Sequence, residues 1–445
     1  MLRNTLLAAL AASIAASIAA FGVLAVACHG NDPAKGSVGS ASSASQTTPS
    51  AVAPAGGKQP AGTQVAEVKP PDIKPDTKGA AAPAPPPPPG GHDFTPEAKA
   101  LLSVGACGDL PPPTGFDPKL LAGHCEVIKK AQDDYLTGWV RPARSFFAEH
   151  VPSDVPRKVV YPFAGGDLST ALTVYPDADE ITTISLEPAG DPRALGDLKG
   201  GELDRALKKV EYELKFLYRV NFSNTINMID AMREGTLPTQ LIFGLSALKI
   251  HGYEVVGLRY FRLEPDGEIH YLDDAEVAAV PPPAKARATV RNRVFANAEV
   301  QFRRPGGRIQ VYRHIQWNLD NEHLKADPRI LKHLEAKGTI AGMTKAASYL
   351  LSWDSFSTMR DYLIDHVSWM VSDATGVAPK WGKPAGFEYE TYGDFTGPHI
   401  QAGGSIAKDW RVEFESEPRR DLAFRFGYYD KHNANHLIIM RKKKA

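Results

Sequence analysis

The apolar residues of this chain change period several times, and the changes mark out its elements. The first run is unbroken: Val159, Val160, Tyr161 and Phe163 predict a strand buried on both faces, stopped by Gly165-Gly166-Asp167. Two glycines permit a tight turn or a close backbone approach, and Asp167 is placed to cap a short helix over 168–174 that ends before Pro176. A second run, 181–186, predicts a strand that delivers Glu187 at its carboxyl end. After it the period turns helical. Leu203, Leu207, Val210, Leu214 and Leu217 recur at three and four residues with charged residues between them. Two more helices are predicted over 224–234 and 238–250, the second with proline in its first turn and Gly252 behind its end.

Beyond Gly252 the period becomes two. Runs over 254–263 and 268–272 flank Pro265-Asp266-Gly267, and runs over 298–303 and 308–317 flank Pro305-Gly306-Gly307, which predicts two hairpins. Asp327 with Pro328 predicts a helix start, and the apolar residues of 340–353 and 356–371 predict two further helices, the first of them buried. Residues 376–399 read as an aromatic loop with Trp381, Phe387, Tyr389, Tyr392 and Phe395, of a length typical of binding loops or lids. Residues 421–429 and 435–441 predict a closing hairpin, with Arg441-Lys442-Lys443-Lys444 as a solvated tail protecting the last strand's edge. Together these elements predict an α/β fold: a Rossmann-like three-layer domain with a mixed sheet and C-terminal antiparallel hairpins.

Composition changes the picture at the N-terminus. Residues 1–28 hold Arg3, an apolar stretch over 6–26 and the ending Leu24-Ala25-Val26-Ala27-Cys28, the layout of a secretory signal. This ending resembles the lipobox of bacterial lipoproteins, with Ala25 where that family usually has leucine, and the resemblance implies that Cys28 is acylated. An uncleaved membrane anchor is the alternative, since about 20 apolar residues span a bilayer. Either expectation places the bulk of the protein in the bacterial cell envelope, attached to a membrane and outside the cytoplasm, in the periplasm or at the outer membrane. Residues 29–92 are rich in Ala, Pro, Gly and Ser and have almost no large apolar side chains to bury against ordering entropy, so they are expected to be a disordered tether, about 45 Å end to end as a flexible coil. Residues 93–445 are expected to fold as a single α/β domain. The 51 basic and 51 acidic residues balance, which gives no general attraction for nucleic acid. With Cys28 set aside, Cys107 and Cys125 are an even pair in an exported chain and are expected to form a disulfide.

Motifs of known chemistry are mostly absent. There is no Gly-x-Ser-x-Gly elbow, no His-Glu-x-x-His and no cysteine pair with zinc spacing; His432 and His436 stand on either side of a predicted turn, so no metal and no cofactor is expected. Two candidate ligand sites remain. One comprises Tyr161, Gly165, Gly166, Asp167 and Glu187 at the carboxyl ends of the first two strands; the other is the aromatic loop with His399 beside it. Carboxylates beside aromatic rings suit sugars or other polar ligands, and a pair of carboxylates can also serve as general acid and base. The plain alternative is that the glycines make a turn, Asp167 is a helix cap and Glu187 is a solvated strand end. Tyr161-Pro-Phe-x-Gly-x-Asp167 and Leu186-Glu-Pro-x-Gly190, with Ala346-Ala347-Ser348-Tyr349-Leu350 and Phe356-Ser357-Thr358-Met359-Arg360 beyond them, resemble an uncharacterised family of secreted bacterial proteins, which implies no activity. The first segment also looks like a class I methyltransferase, which would put Gly165-Gly166-Asp167 near a methionine moiety and Glu187 at a ribose. The Gly-x-Gly-x-x-Gly pattern is incomplete and the chain is expected to be exported, so the resemblance implies a vacated or repurposed site. Two readings of function follow: an envelope lipoprotein binding a protein partner or polar ligand, or an envelope hydrolase using Asp167 and Glu187.

Overall fold

The computed structural model describes residues 90–220, 237–283, 287–395, 404–426 and 435–443. Among them the chain forms the strands β1 (Lys158–Pro162), β2 (Glu180–Ser185), β3 (Glu254–Leu263), β4 (Ile269–Tyr271), β5 (Asn297–Arg303), β6 (Gln310–Gln316), β7 (Ile340–Thr344), β8 (Val367–Ser372), β9 (Phe387–Asp394) and β10 (Asn435–Lys442). All ten lie in one mixed sheet, in the order β4-β3-β5-β6-β2-β1-β7-β8-β10-β9. The middle five are parallel: β1 pairs with β2 and β7, β2 with β6, and β7 with β8. Antiparallel strands extend both sides, β5, β3 and β4 on one and β10 and β9 on the other.

Period two along β1 explains why the sheet has helices on both faces. Val159 and Tyr161 enter one apolar core and Val160 the other, because successive side chains point to opposite sides. The first core is closed by α1 (Thr95–Val104), α2 (Pro118–Tyr135), α3 (Arg141–His150), α4 (Leu168–Val174), α5 (Gly201–Val220) and α6 (Thr239–Ile250), which contribute Leu101, Ile128, Phe147, Leu172, Leu214 and Leu245. On the second face the helices Arg329–Glu335, Ser357–His366 and Gly404–Ser416 contribute Leu334, Leu363 and Trp410. The fold is therefore a three-layer α/β sandwich, as the periodicity predicts. The Cys107–Cys125 disulfide is formed, with the two Cα atoms 5.4 Å apart, and fastens the turn after α1 to α2. Closing a loop of 18 residues restricts the unfolded chain by about 3 kcal/mol.

Several local expectations are corrected. The run over 340–353 is no helix: Ile340–Thr344 is β7, wholly buried between β1 and β8, and a 3-10 turn follows at Ala346–Ser352. Gly342 permits this, since a Cβ there would stand 2.9 Å from the Met370 sulfur and 3.0 Å from Val367 Cγ2. The run over 356–371 is half helix, Ser357–His366, and half strand, β8. The aromatic stretch after Gly376 forms the helical turn Pro379–Gly382 and β9, whose Phe387 and Tyr389 are buried in the second core and whose Tyr392 is buried in the first. The closing hairpin does not form as expected: β10 pairs with β8 and β9, so it lies inside the sheet and the edges are β4 and β9. The basic tail thus guards no edge. Asp327 ends the helix Asn321–Ala326, and its side chain accepts from the Arg329 N–H, 3.4 Å away, at the start of the next helix. The predicted helix over 224–234, the signal, the tether up to residue 89, Cys28, His399 and His432 lie outside the described residues.

Candidate functional site

Numbered in chain order, the five parallel strands lie 3-2-1-4-5, so the chain reverses its direction of travel between β1 and β7. In open α/β sheets this switch point leaves a crevice at the carboxyl ends of the strands. Here the switch point is bordered by the turn after β1, by Glu187 after β2 and by Lys345 after β7. Backbone conformation on both sides is unusual. Phe163 (φ 58°) and Gly165 (φ 53°) after β1, and Ala346 (φ 54°) after β7, occupy the left-handed region, which is costly for residues other than glycine.

Asp167 caps α4 as expected, accepting from the Thr170 N–H at 3.3 Å and from its hydroxyl at 2.7 Å. It does more than cap. Its second carboxylate oxygen, Oδ2, accepts from Tyr161 Oη at 3.1 Å and from Lys345 Nζ at 2.9 Å, and Lys345 also donates to Thr170 Oγ1 at 3.1 Å. Asp167 and Lys345 are both essentially inaccessible to solvent. Burial, and then the charge of Asp167, push the Tyr161 phenol well above its ordinary range, so it stays protonated and donates.

Glu187 lies on the other side of the β1 turn. It is fully buried, and neither carboxylate oxygen has a hydrogen-bond donor among the described residues. A chain of hydrogen bonds ties it to the glycine turn. His314 Nε2 donates to the Glu187 carbonyl at 2.6 Å, which leaves Nδ1 to accept from Gln240 Nε2 at 3.2 Å, and the same amide nitrogen donates to the Gly165 carbonyl at 2.8 Å. With its nitrogen so engaged, Gln240 presents Oε1, which has no donor among the described residues, and Ser185 Oγ, two residues before Glu187, has no partner among them either. Burial lowers the His314 pKa to about 4 against the opposing bond to the Glu187 carbonyl, so the ring is neutral. Gly166 completes the corner: a Cβ there would come within 2.0 Å of the Phe243 ring, so α6 packs directly on the turn. Among the described residues no donor meets the Glu187 carboxylate or Gln240 Oε1.

Of the residues singled out from sequence, Tyr161, Gly165, Gly166, Asp167 and Glu187 meet at this switch point, with Asp167 held by Lys345 and the Glu187 carboxylate without a donor among the described residues. Lys345, Gln240 and His314 were not legible as members. Lys345 had one signal, that it directly follows a β-strand, and the helical reading of 340–353 hid it. A separate cleft of about 570 Å³ lies at the β9 edge, between Lys383, Glu388, Glu413, Arg420, Arg441 and their neighbours. Its charges pair with one another, Lys383 with Glu413, Arg420 and Arg441 with Glu390, and Lys443 with Glu388, so it presents no unmatched group to a ligand. No protein-family model, no curated protein and no solved structure matches the chain.

Proposed function

We propose that this chain is a lipid-anchored cell-envelope protein whose α/β domain binds a polar, hydroxyl-rich ligand at the corner formed by Gly165, Gly166 and Glu187. The observation that carries the reading is the Glu187 carboxylate, buried with both oxygens unpartnered among the described residues. Removing an ionised carboxylate from water costs several kcal/mol unless donors replace the lost hydration. A vicinal diol supplies two donors at the spacing of the two oxygens, and Gln240 Oε1 and Ser185 Oγ can accept from further hydroxyls. The parallel strand order and an acidic residue about 20 positions after the glycine turn support it, since sheets of this order place ribose hydroxyls on such a residue.

Binding is favoured over hydrolysis by the state of Asp167. Its oxygens are taken up by Lys345, Tyr161 and Thr170, which leaves it no freedom to act as acid or base. The envelope assignment rests on residues 1–28, with Cys28 as the acylated residue; among the described residues no helix is long and apolar enough to cross a membrane.

Calorimetric titration of the full chain with nucleosides and monosaccharides tests the reading. Binding of at least one is expected, weakened about 10- to 100-fold by Glu187→Gln, the range for losing hydrogen bonds to a charged group. The same substitution should raise the stability of the ligand-free protein by about 1–3 kcal/mol, because it removes a buried carboxyl group whose oxygens have no donor among the described residues. If Glu187→Gln lowers stability and leaves binding unchanged, the carboxylate is structural and the proposal fails.

A further inference from the structure

We propose that the β1–β7 half of the switch point is an ammonium subsite occupied by the chain's own Lys345, which closes that half to ligands from outside. The inference stands on the surroundings of Lys345 and is independent of Glu187. Lysine is rarely fully buried, and only when it is paired; Lys345 is fully buried. Its side chain leaves the carboxyl end of β7 and crosses to the loop after β1, where Nζ meets Asp167 Oδ2 at 2.9 Å and Thr170 Oγ1 at 3.1 Å. Two ring faces complete the enclosure, Phe426 with its centroid 5.4 Å from Nζ and Trp139 at 5.8 Å, both within the reach of a cation–π attraction. One carboxylate, a hydroxyl and two aromatic faces are the parts with which proteins recognise a ligand ammonium.

The enclosure is held from outside as well. The Lys345 N–H donates to Ser348 Oγ at 3.0 Å, and the left-handed Ala346 donates its N–H at 3.1 Å to Asp373 Oδ2, while Asp373 Oδ1 accepts from the Thr375 N–H at 2.9 Å and from its hydroxyl. Trp139 is fixed by its indole N–H, which donates to the Arg425 carbonyl. The direction of the lysine is therefore set by the fold. A ligand that crosses the switch point, as dinucleotides do, would have to displace a buried and fully engaged cation.

Removing the lysine should expose the subsite. In the full chain, Lys345→Ala is expected to gain a saturable rise in Tm of a few degrees with n-propylammonium, which replaces the deleted methylenes and charge, and none with 1-propanol. Wild type should respond to neither, and Asp167→Ala added to Lys345→Ala should abolish the response. If Lys345→Ala is recovered only as aggregate, refolding from denaturant reads the same subsite: recovery with the amine but not the alcohol supports it. An equal effect of amine and alcohol, or none of either, overturns the proposal. NAD is expected not to bind wild type, and tight binding of NAD to wild type that Lys345→Ala leaves unaltered would also overturn it.

Discussion

Asp167 and Lys345 show why a buried ion pair must be treated as a unit. Both are out of water, so each depends on the other and on the hydroxyls around them to replace lost hydration. Asp167→Asn is expected to destabilise the protein by about 3–5 kcal/mol, because it strands the Lys345 charge, and Lys345→Met by a similar amount for the converse reason. The double variant, with no charge to strand, should recover most of that loss. A double-mutant cycle by urea denaturation measures it, and losses that simply add would show that the two residues are not coupled. Asp167 was legible in the sequence as a helix cap because capping is local, needing only the three residues that follow. Its second oxygen is taken by a lysine 178 residues away, and nothing local encodes that.

At the scale of elements, the unit β1, Gly165-Gly166, α4 explains the need for glycine. Gly165 takes a left-handed conformation, and Gly166 lies against α6 with no room for a side chain. Gly166→Ala is expected to cost about 1–3 kcal/mol through overpacking against Phe243, and Phe243→Leu in the same chain should recover part of it. Thermal unfolding of the three variants checks this; a neutral Gly166→Ala would mean that α6 is free to move away. β1, β2 and the hairpins around Pro265-Asp266-Gly267 and Pro305-Gly306-Gly307 were legible because their turns and periods are local signals. β7 was not. Ile340-Ala-Gly-Met-Thr344 is buried on all sides, and an unbroken apolar run reads equally as a buried strand or a buried helix, so only its neighbours in the sheet decide.

For the whole molecule, buried histidines set the response to acid. Burial lowers His251 to about 3, helped by the Arg144 and Arg304 charges; it lowers His314 to about 4, and His333 to about 4 with Lys337 and Arg313 adding to it. The native state holds all three neutral while the unfolded chain protonates them near the ordinary value of 6.5, so below that pH the unfolded state binds more protons and stability falls. Each histidine contributes a slope of up to about 1.4 kcal/mol per pH unit until its own native pKa is reached. Burial works to raise the Glu180 carboxyl, but ion pairs with Lys337 and Arg313 outweigh it and bring it down to about 2. Its contribution is present above the ordinary 4.5 and is lost only below that, so it leaves the range from pH 6.5 to 4.5 to the histidines. Urea denaturation at pH 7.5 and pH 5 should therefore show a marked loss at the lower value, and equal stability at the two would contradict it.

By itself the sequence determined the class of the fold, the first two strands, the turns, the capping role of Asp167 and the cysteine pair, because hydrophobic period, glycine and proline placement and helix capping act over a few residues. The tertiary structure decided which strands lie beside β1, that β10 enters the sheet between β8 and β9, that Lys345 closes on Asp167 and that the Glu187 carboxylate is buried without a donor among the described residues. Those are pairings between residues far apart in the chain. They are fixed by which surfaces can be buried together, a property of the packed molecule rather than of any segment of it.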